Sequence, residues 1–260
     1  MIPLSVDVPM KRLPWANWVL ILATVVISLA VPYATEERTG RSSGELTRHR
    51  YSPLVLQRDG FAAYQLVTAL FQHAGPLHLF GNMLFLFVFG NAINAKLGHV
   101  GFLASYLGIG VLENLVWLVA GESACLGASA AIMGMCGMFL VLYPRNDVRV
   151  FWDEGNVALF TRSWTSEIPG WAIVLLYLAF DLWGALLDRK AGIGYVSHLI
   201  GALLGIALAI VLLKGGWLTP DRGEQTLLQW LASEGPVEDE VPDRQRGRKK
   251  PRSLVRGKKR

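Results

Sequence analysis

Six stretches of this 260-residue chain are apolar and nearly free of charge: Trp15–Pro32, Pro76–Ala95, Gly101–Val119, Gly127–Tyr143, Gly170–Leu187 and Gly192–Leu213. A bilayer core roughly 30 Å thick needs on the order of 20 such residues per helix. Glu113 interrupts the third run and Asp181 the fifth. The pattern predicts an all-α membrane protein of six transmembrane helices, with residues 1–14 as an N-terminal segment, 15–213 as the membrane domain and 214–260 as a tail. The tail opens on a short amphipathic stretch, Thr226–Leu231, and ends in a charge block that reads as disordered. The first run is long, and no small-x-small cleavage pattern follows it, so it reads as a membrane helix rather than a secretory signal. No internal repeat is evident, which disfavours an inverted-repeat transporter.

Composition agrees: 52% of residues are hydrophobic and 17% charged, and the mean hydropathy is +0.37. The two cysteines, Cys125 and Cys136, build neither a disulfide framework nor a CxxC site. The net charge of +5 hides an asymmetry. Ten of the 25 Lys and Arg lie between Arg244 and Arg260, where there is no acid, leaving 15 basic against 20 acidic residues elsewhere. Beside a hydrophobic body, a basic tail points to anionic lipid headgroups on the cytoplasmic side rather than to nucleic acid. Lys11 and Arg12, then Lys96, then Arg145, Arg149 and Arg162, then Lys214 mark alternate loops, placing both termini in the cytoplasm. Tyr33–Leu66, with Arg38, Arg41, Arg48, Arg50 and Arg58, runs against that rule, as do Arg189 and Lys190. Trp152, Trp164 and Trp171 suit an interfacial belt.

Polar side chains within apolar runs are costly and mark function by default. His73, His78 and Asn82 stand at the start of the second run, Ser129 at the start of the fourth, and His198 about two turns into the sixth. Even-numbered runs point the same way, so these groups share one depth near the external face. Each has an ordinary explanation. A serine among Gly and Ala bonds back to its own helix. His78 and Asn82, at i and i+4, suit an interhelical hydrogen bond, and a lone histidine bonds a backbone carbonyl or ligates haem or metal. Together they supply a nucleophile, a base and two hydrogen-bond donors, the set that acyl transfer requires. Gly201 and Gly205 continue the face of His198 at i+3 and i+7, and Ala130 and Gly134 form a small-xxx-small stripe beside Ser129. Both allow two helix backbones to meet.

The ordered set His73-x4-His78-x3-Asn82, Gly127-Ala128-Ser129 and His198-xx-Gly201-xxx-Gly205 resembles the rhomboid family of intramembrane serine proteases, over about Trp15–Leu213. The resemblance implies a six-helix rhomboid-like bundle with a Ser–His dyad lacking a third acidic member. It also implies an outward-opening, water-accessible cavity and transmembrane protein substrates cut near the outer surface. On it, Ser129 is the nucleophile and His198 the general base. His78, Asn82 and the Ser129 backbone N–H form the oxyanion hole, and His73, Gly127, Gly201 and Gly205 support it. Ala130 stands where many members carry glycine, and Met133 where some carry an aromatic residue that stacks on the histidine.

No cofactor, metal or nucleic acid is expected. The competing readings are an inactive relative that binds transmembrane helices, and a six-span transporter or redox protein whose His73, His78 and His198 hold metal or haem. Glu113 and Asp181 have no assigned role, though Asp181 borders the expected substrate entry side. Without a long Arg/Ser-rich leader, the expected location is a bacterial inner membrane.

Overall fold

A computed structural model of the protein describes residues 2–39, 46–120, 124–153, 163–187, 192–221 and 223–235. In chain order, β1 (Ile2–Val6) precedes α1 (Trp15–Ala30), followed by the antiparallel pair β2 (Ala34–Thr39) and β3 (Leu46–Tyr51). β4 (Leu56–Gln57) and the short α2 (Gln65–Thr68), which tightens into a 3-10 turn at Ala69–Phe71, lead to α3 (Pro76–Phe85). A π-helical turn, Leu86–Gly90, joins α3 to α4 (Asn91–Ala120). Then come β5 (Ala124–Cys125), α5 (Ser129–Leu142), β6 (Asp147–Asp153), β7 (Ser163–Pro169), α6 (Gly170–Leu187), α7 (Gly192–Lys214) and α8 (Leu227–Leu231).

Each apolar run carries helix. Among the described residues, three helices are long and apolar enough to cross a membrane: Pro76–Ala120, Gly170–Leu187 and Gly194–Lys214. Trp15–Ala30 and Ser129–Leu142 are apolar but shorter. Pro76–Ala120 is not straight. Gly98 takes φ 74° and ψ 174° within α4, a left-handed conformation open to glycine, and it breaks the helix between the second and third runs. The basic block Arg244–Arg260, along with Arg41, Arg162, Arg189 and Lys190, lies outside the described residues.

The chain is mostly helical rather than all-α. β1, β6 and β7 form a three-stranded sheet with Val6 opposite Val148, Val148 opposite Ile168 and Trp152 opposite Trp164. Val148 and Val150 are buried, while Arg149 between them is exposed. This period of two is a strand signature, obscured in the sequence by the interleaved charges of a segment that reads as a basic loop. The other short strands pair outside the long helices, β4 with β5 at Leu56–Cys125 and Gln57–Ala124.

α5 is the central element. Every residue from Ala130 to Leu142 is buried, as befits a helix that is hydrophobic all round. Its most extensive helical neighbour is α7, and the contact is made by backbone. A Cβ on Gly201 would overlap the carbonyl oxygen of Ala130, one on Gly205 that of Gly134, and one on Gly137 that of Ala202. Sequence spacing had suggested this seam through Ala130, Gly134, Gly201 and Gly205.

Two polar fastenings tie α1 and the segment after α7 to the start of α4. Asn17 of α1 donates from Nδ2 to the Leu86 carbonyl at 2.8 Å and to Asn91 Oδ1 at 2.8 Å, while its backbone N–H donates to Asn94 Oδ1 at 3.2 Å. Leu86 opens the π-helical turn, whose i→i+5 geometry interrupts the regular ladder and gives Asn17 an accessible carbonyl. At the charged end of the bundle, Lys96 Nζ lies 2.5 Å from Glu224 and 3.0 Å from Asp221, and Lys11 lies 2.6 Å from Asp221. Partial burial works to raise the pKa of Asp221, but hydrogen bonds to Lys11 and Lys96 and their charges outweigh it and hold the carboxyl below its ordinary value. The expected amphipathic stretch is α8, with a capping box between Thr226 and Gln229.

The seam is testable by adding one methyl. Gly205→Ala forces backbone atoms apart and is expected to lower stability by about 1–3 kcal/mol or more. Gly108→Ala meets nothing within 4 Å and should be neutral or stabilising by up to about 1 kcal/mol, through helix propensity. Thermal or denaturant unfolding in detergent compares the two.

Candidate active site

Helix starts and helix contacts bring the polar residues of separate runs to one place. Pro76, at the first turn of α3, suits a position where an N–H has no intrahelical acceptor. It sets His78 and Asn82 one turn apart on the same face. Ser129 opens α5, so its backbone N–H is one of the first-turn donors without a partner inside the helix. Gly127 precedes it at φ +119°, and a Cβ there would sit 3.2 Å from His78 Cε1. Any side chain would therefore press on the histidine from a backbone conformation that L-residues disfavour. The Gly127 N–H donates to the Ala69 carbonyl at 2.9 Å, tying the turn before Ser129 to the segment before α3. The α5–α7 seam then brings His198 alongside.

The result is a cavity of about 340 Å³ lined by His78, Asn82, Ser129, Asp181 and His198. Its apolar walls include Leu77, Phe85, Ile132, Met133, Tyr177 and Phe180. Asn82 is buried, and its Nδ2 has no acceptor among the described residues, an unpaired donor of the kind that native structures rarely keep without reason. Ala74 N–H donates to His78 Nδ1 at 3.4 Å, a long bond that leaves Nε2 to carry the ring proton in the neutral imidazole. His198 Nδ1 lies 3.0 Å from Asp181 Oδ1.

The expected residues divide by place. Ser129, His198, His78 and Asn82 line the cavity together. Gly127 supports its edge, and Gly201 and Gly205 lie in the seam beneath. His73 is set back: its ring packs edge-on to His78 at 5.1 Å between centroids, and its Nδ1 lies 3.0 Å from Ser28 Oγ. Ser28 donates its hydroxyl proton to the Phe71 carbonyl at 2.7 Å, so His73 Nδ1–H is the donor in the Ser28 contact. Among the described residues no group of three or more His, Cys, Asp or Glu is arranged to hold a metal ion. Sequence reasoning assigned no role to Asp181 or Glu113. Asp181 contacts His198, and Glu113 is buried within α4. The only signal was an acid inside an apolar run, because spacing does not connect residues on different helices.

Comparison with known proteins adds an independent finding. The family model described as "Rhomboid domain" matches residues 61–215. The chain belongs to the rhomboid family. It is 32% identical over 166 residues to Rhomboid-like protein 11, chloroplastic, of Arabidopsis thaliana, covering 62% of this chain and 56% of that one. To Rhomboid protease GluP of Bacillus subtilis it is 27% identical over 198 residues, 68% of this chain and 37% of the relative. To Rhomboid protein 1, mitochondrial, of Saccharomyces cerevisiae it is 27% identical over 165 residues, 59% and 43% of the two chains. The matched regions thus cover about half or less of these relatives. The protein is a membrane-embedded rhomboid with the cavity described above at the start of α3 and α5.

The position of His73 has a measurable consequence. In the turn before α3, burial and the neighbouring His78 push its pKa down from 6.5 to about 4. The unfolded chain takes up this proton near 6.5 and the folded chain only near 4, so the neutral ring's contribution is fully present above pH 6.5 and is lost as pH falls towards 4. Histidine NMR shifts should show His73 neutral at pH 5.5, and a ring titrating near 6.5 would contradict its burial.

Proposed function

We propose that this rhomboid is an intramembrane serine endopeptidase that cleaves transmembrane proteins near the outer membrane face. The observation that carries the reading is the single cavity shared by Ser129, His198, His78 and Asn82. Ser129 Oγ attacks the scissile carbonyl carbon as its proton passes to His198. The negative oxygen that forms is met by Asn82 Nδ2–H, His78 Nε2–H and the Ser129 backbone N–H, donors aimed where charge develops. Collapse of this intermediate breaks the C–N bond, and the leaving amine takes the proton from His198. Water, activated by the same histidine, then hydrolyses the acyl-enzyme.

The membrane arrangement belongs to the same proposal: six spans over residues 15–213, both termini in the cytoplasm, and a bacterial inner membrane as the site of action. The central helix supports it. α5 has 14 residues and rises about 21 Å, less than a roughly 30 Å hydrocarbon core. With its C-terminal end at the cytoplasmic face, Ser129 lies below the outer boundary, and the polar side chains of α3 give water a route to it. A substrate helix must unwind locally to present a carbonyl, since its backbone groups are paired. Segments with Gly, Pro or other weak helix formers near that boundary are the expected substrates.

Labelling of the detergent-purified protein by a fluorophosphonate, which reacts with activated serines, tests the reading. Wild type should label and cleave a transmembrane reporter, and Ser129→Ala and His198→Ala should do neither. Asn82→Ala should fold normally and lose about 10²–10³-fold in kcat. A folded wild type that neither labels nor cleaves would leave the cavity to helix binding without proteolysis.

A further inference from the structure

Asp181 is the single charged residue of α6. It is buried, at 8% exposure, and lines the same cavity as Ser129 and His198. An acid at such a place in a membrane helix is retained against a considerable solvation cost, and its partner identifies what it does. Oδ1 lies 3.0 Å from His198 Nδ1, across the α6–α7 contact. That contact is registered a turn away. A Cβ on Gly184 would come within 2.5 Å of the Tyr195 ring, so Gly184, three residues after Asp181, receives the side chain three residues before His198. Helix packing, and not the acid alone, sets the separation of carboxyl and imidazole.

We propose that Asp181 is a positioning residue that fixes the tautomer and orientation of His198, making the site a Ser–His–Asp arrangement distributed over α5, α7 and α6. The proposal rests on the proteolytic reading above and extends it. A carboxylate can only accept a hydrogen bond, so Nδ1 carries the proton and Nε2 keeps its lone pair. Nε2 is then the nitrogen available to Ser129. As Oγ bonds to the substrate carbon, its proton moves to Nε2 and the ring becomes an imidazolium with both nitrogens protonated. The Asp181 carboxylate faces that positive charge through Nδ1–H and takes no proton itself. The proton on Nε2 leaves with the amine when the C–N bond breaks. Without Asp181, the neutral ring would divide between two tautomers, one of which presents N–H rather than a lone pair to the serine.

Other ionisable groups near His198 are not placed to do this. Glu113 of α4 is buried and, among the described residues, makes no hydrogen bond to the His198 ring. His78 of α3 has its Nδ1 occupied by the Ala74 N–H and is proposed to donate to the oxyanion. Among the described residues, Asp181 is the acid hydrogen-bonded to the histidine ring.

The test combines a spectrum with kinetics on the full-length protein in detergent, labelled with nitrogen-15 at histidine. In wild type, the His198 ring shifts should report the Nδ1–H tautomer. Asp181→Leu, which keeps the branched shape of the side chain and removes the acceptor, should abolish that preference. It should also lower kcat for a transmembrane reporter by at least about 10²-fold, with KM little changed. An Nε2–H tautomer in wild type would overturn the proposal with no variant needed, and so would wild-type kcat in Asp181→Leu. If wild type neither cleaves nor labels, the proteolytic reading fails instead. The tautomer, read without turnover, still decides whether Asp181 sets the ring.

Discussion

The meeting of two backbones at Gly201 and Gly205 of α7 against Ala130 and Gly134 of α5 is the contact on which the rest of the structure depends. Inside a bilayer, water offers helices little reason to associate, and close packing of small residues takes over. Here it draws α7 so near to α5 that His198 and Ser129, 69 residues apart in the sequence, line one cavity. A side chain at either glycine would push the histidine away from the serine before any chemistry arose. The fold and the proposed catalysis therefore rest on the same few atoms of missing volume.

The second constraint is the exclusion of unpaired polar groups from an apolar interior. Pairing is seen between Asn17 and the Leu86 carbonyl and between Lys96 and Glu224. Asn82, like Gln72 and Tyr177, keeps a buried polar atom without a partner among the described residues, and its free amide donor stands at the wall of the cavity. A donor held ready costs stability in the resting protein and gains a partner when an oxyanion forms beside it. Asp181 and His198 lie within hydrogen-bond distance of each other, which gives each of these two polar groups a partner in the cavity.

Much of this was legible in the sequence because membranes simplify the code. Long apolar runs marked the helices, and the polar residues within them marked a common depth, so His78, Asn82, Ser129 and His198 stood out before any contact was known. Glycine spacing pointed to the seam. Other features had no comparable signal. The strands of the β1–β6–β7 sheet alternate over a few residues between charges, and that pattern is lost in a loop read for its topology. Asp181 was visible as an anomaly, but its partner lies on another helix, and no spacing rule joins an acid on α6 to a histidine on α7. The ion cluster of Lys11, Lys96, Asp221 and Glu224 brings together parts of the chain far apart in sequence. Lys11 and Lys96 read as topology markers, and their pairing with acids in the segment after α7 was not apparent.

The central claim is that Ser129 and His198 work as one unit across the α5–α7 seam. Its most direct measurement uses a chloroisocoumarin, which acylates an activated serine and then alkylates a histidine within reach of the bound ring. Peptide mapping of the treated protein by mass spectrometry should find one cross-linked product joining the segment that holds Ser129 to the segment that holds His198. Both residues recovered unmodified, under conditions that doubly link an active serine protease, would contradict it.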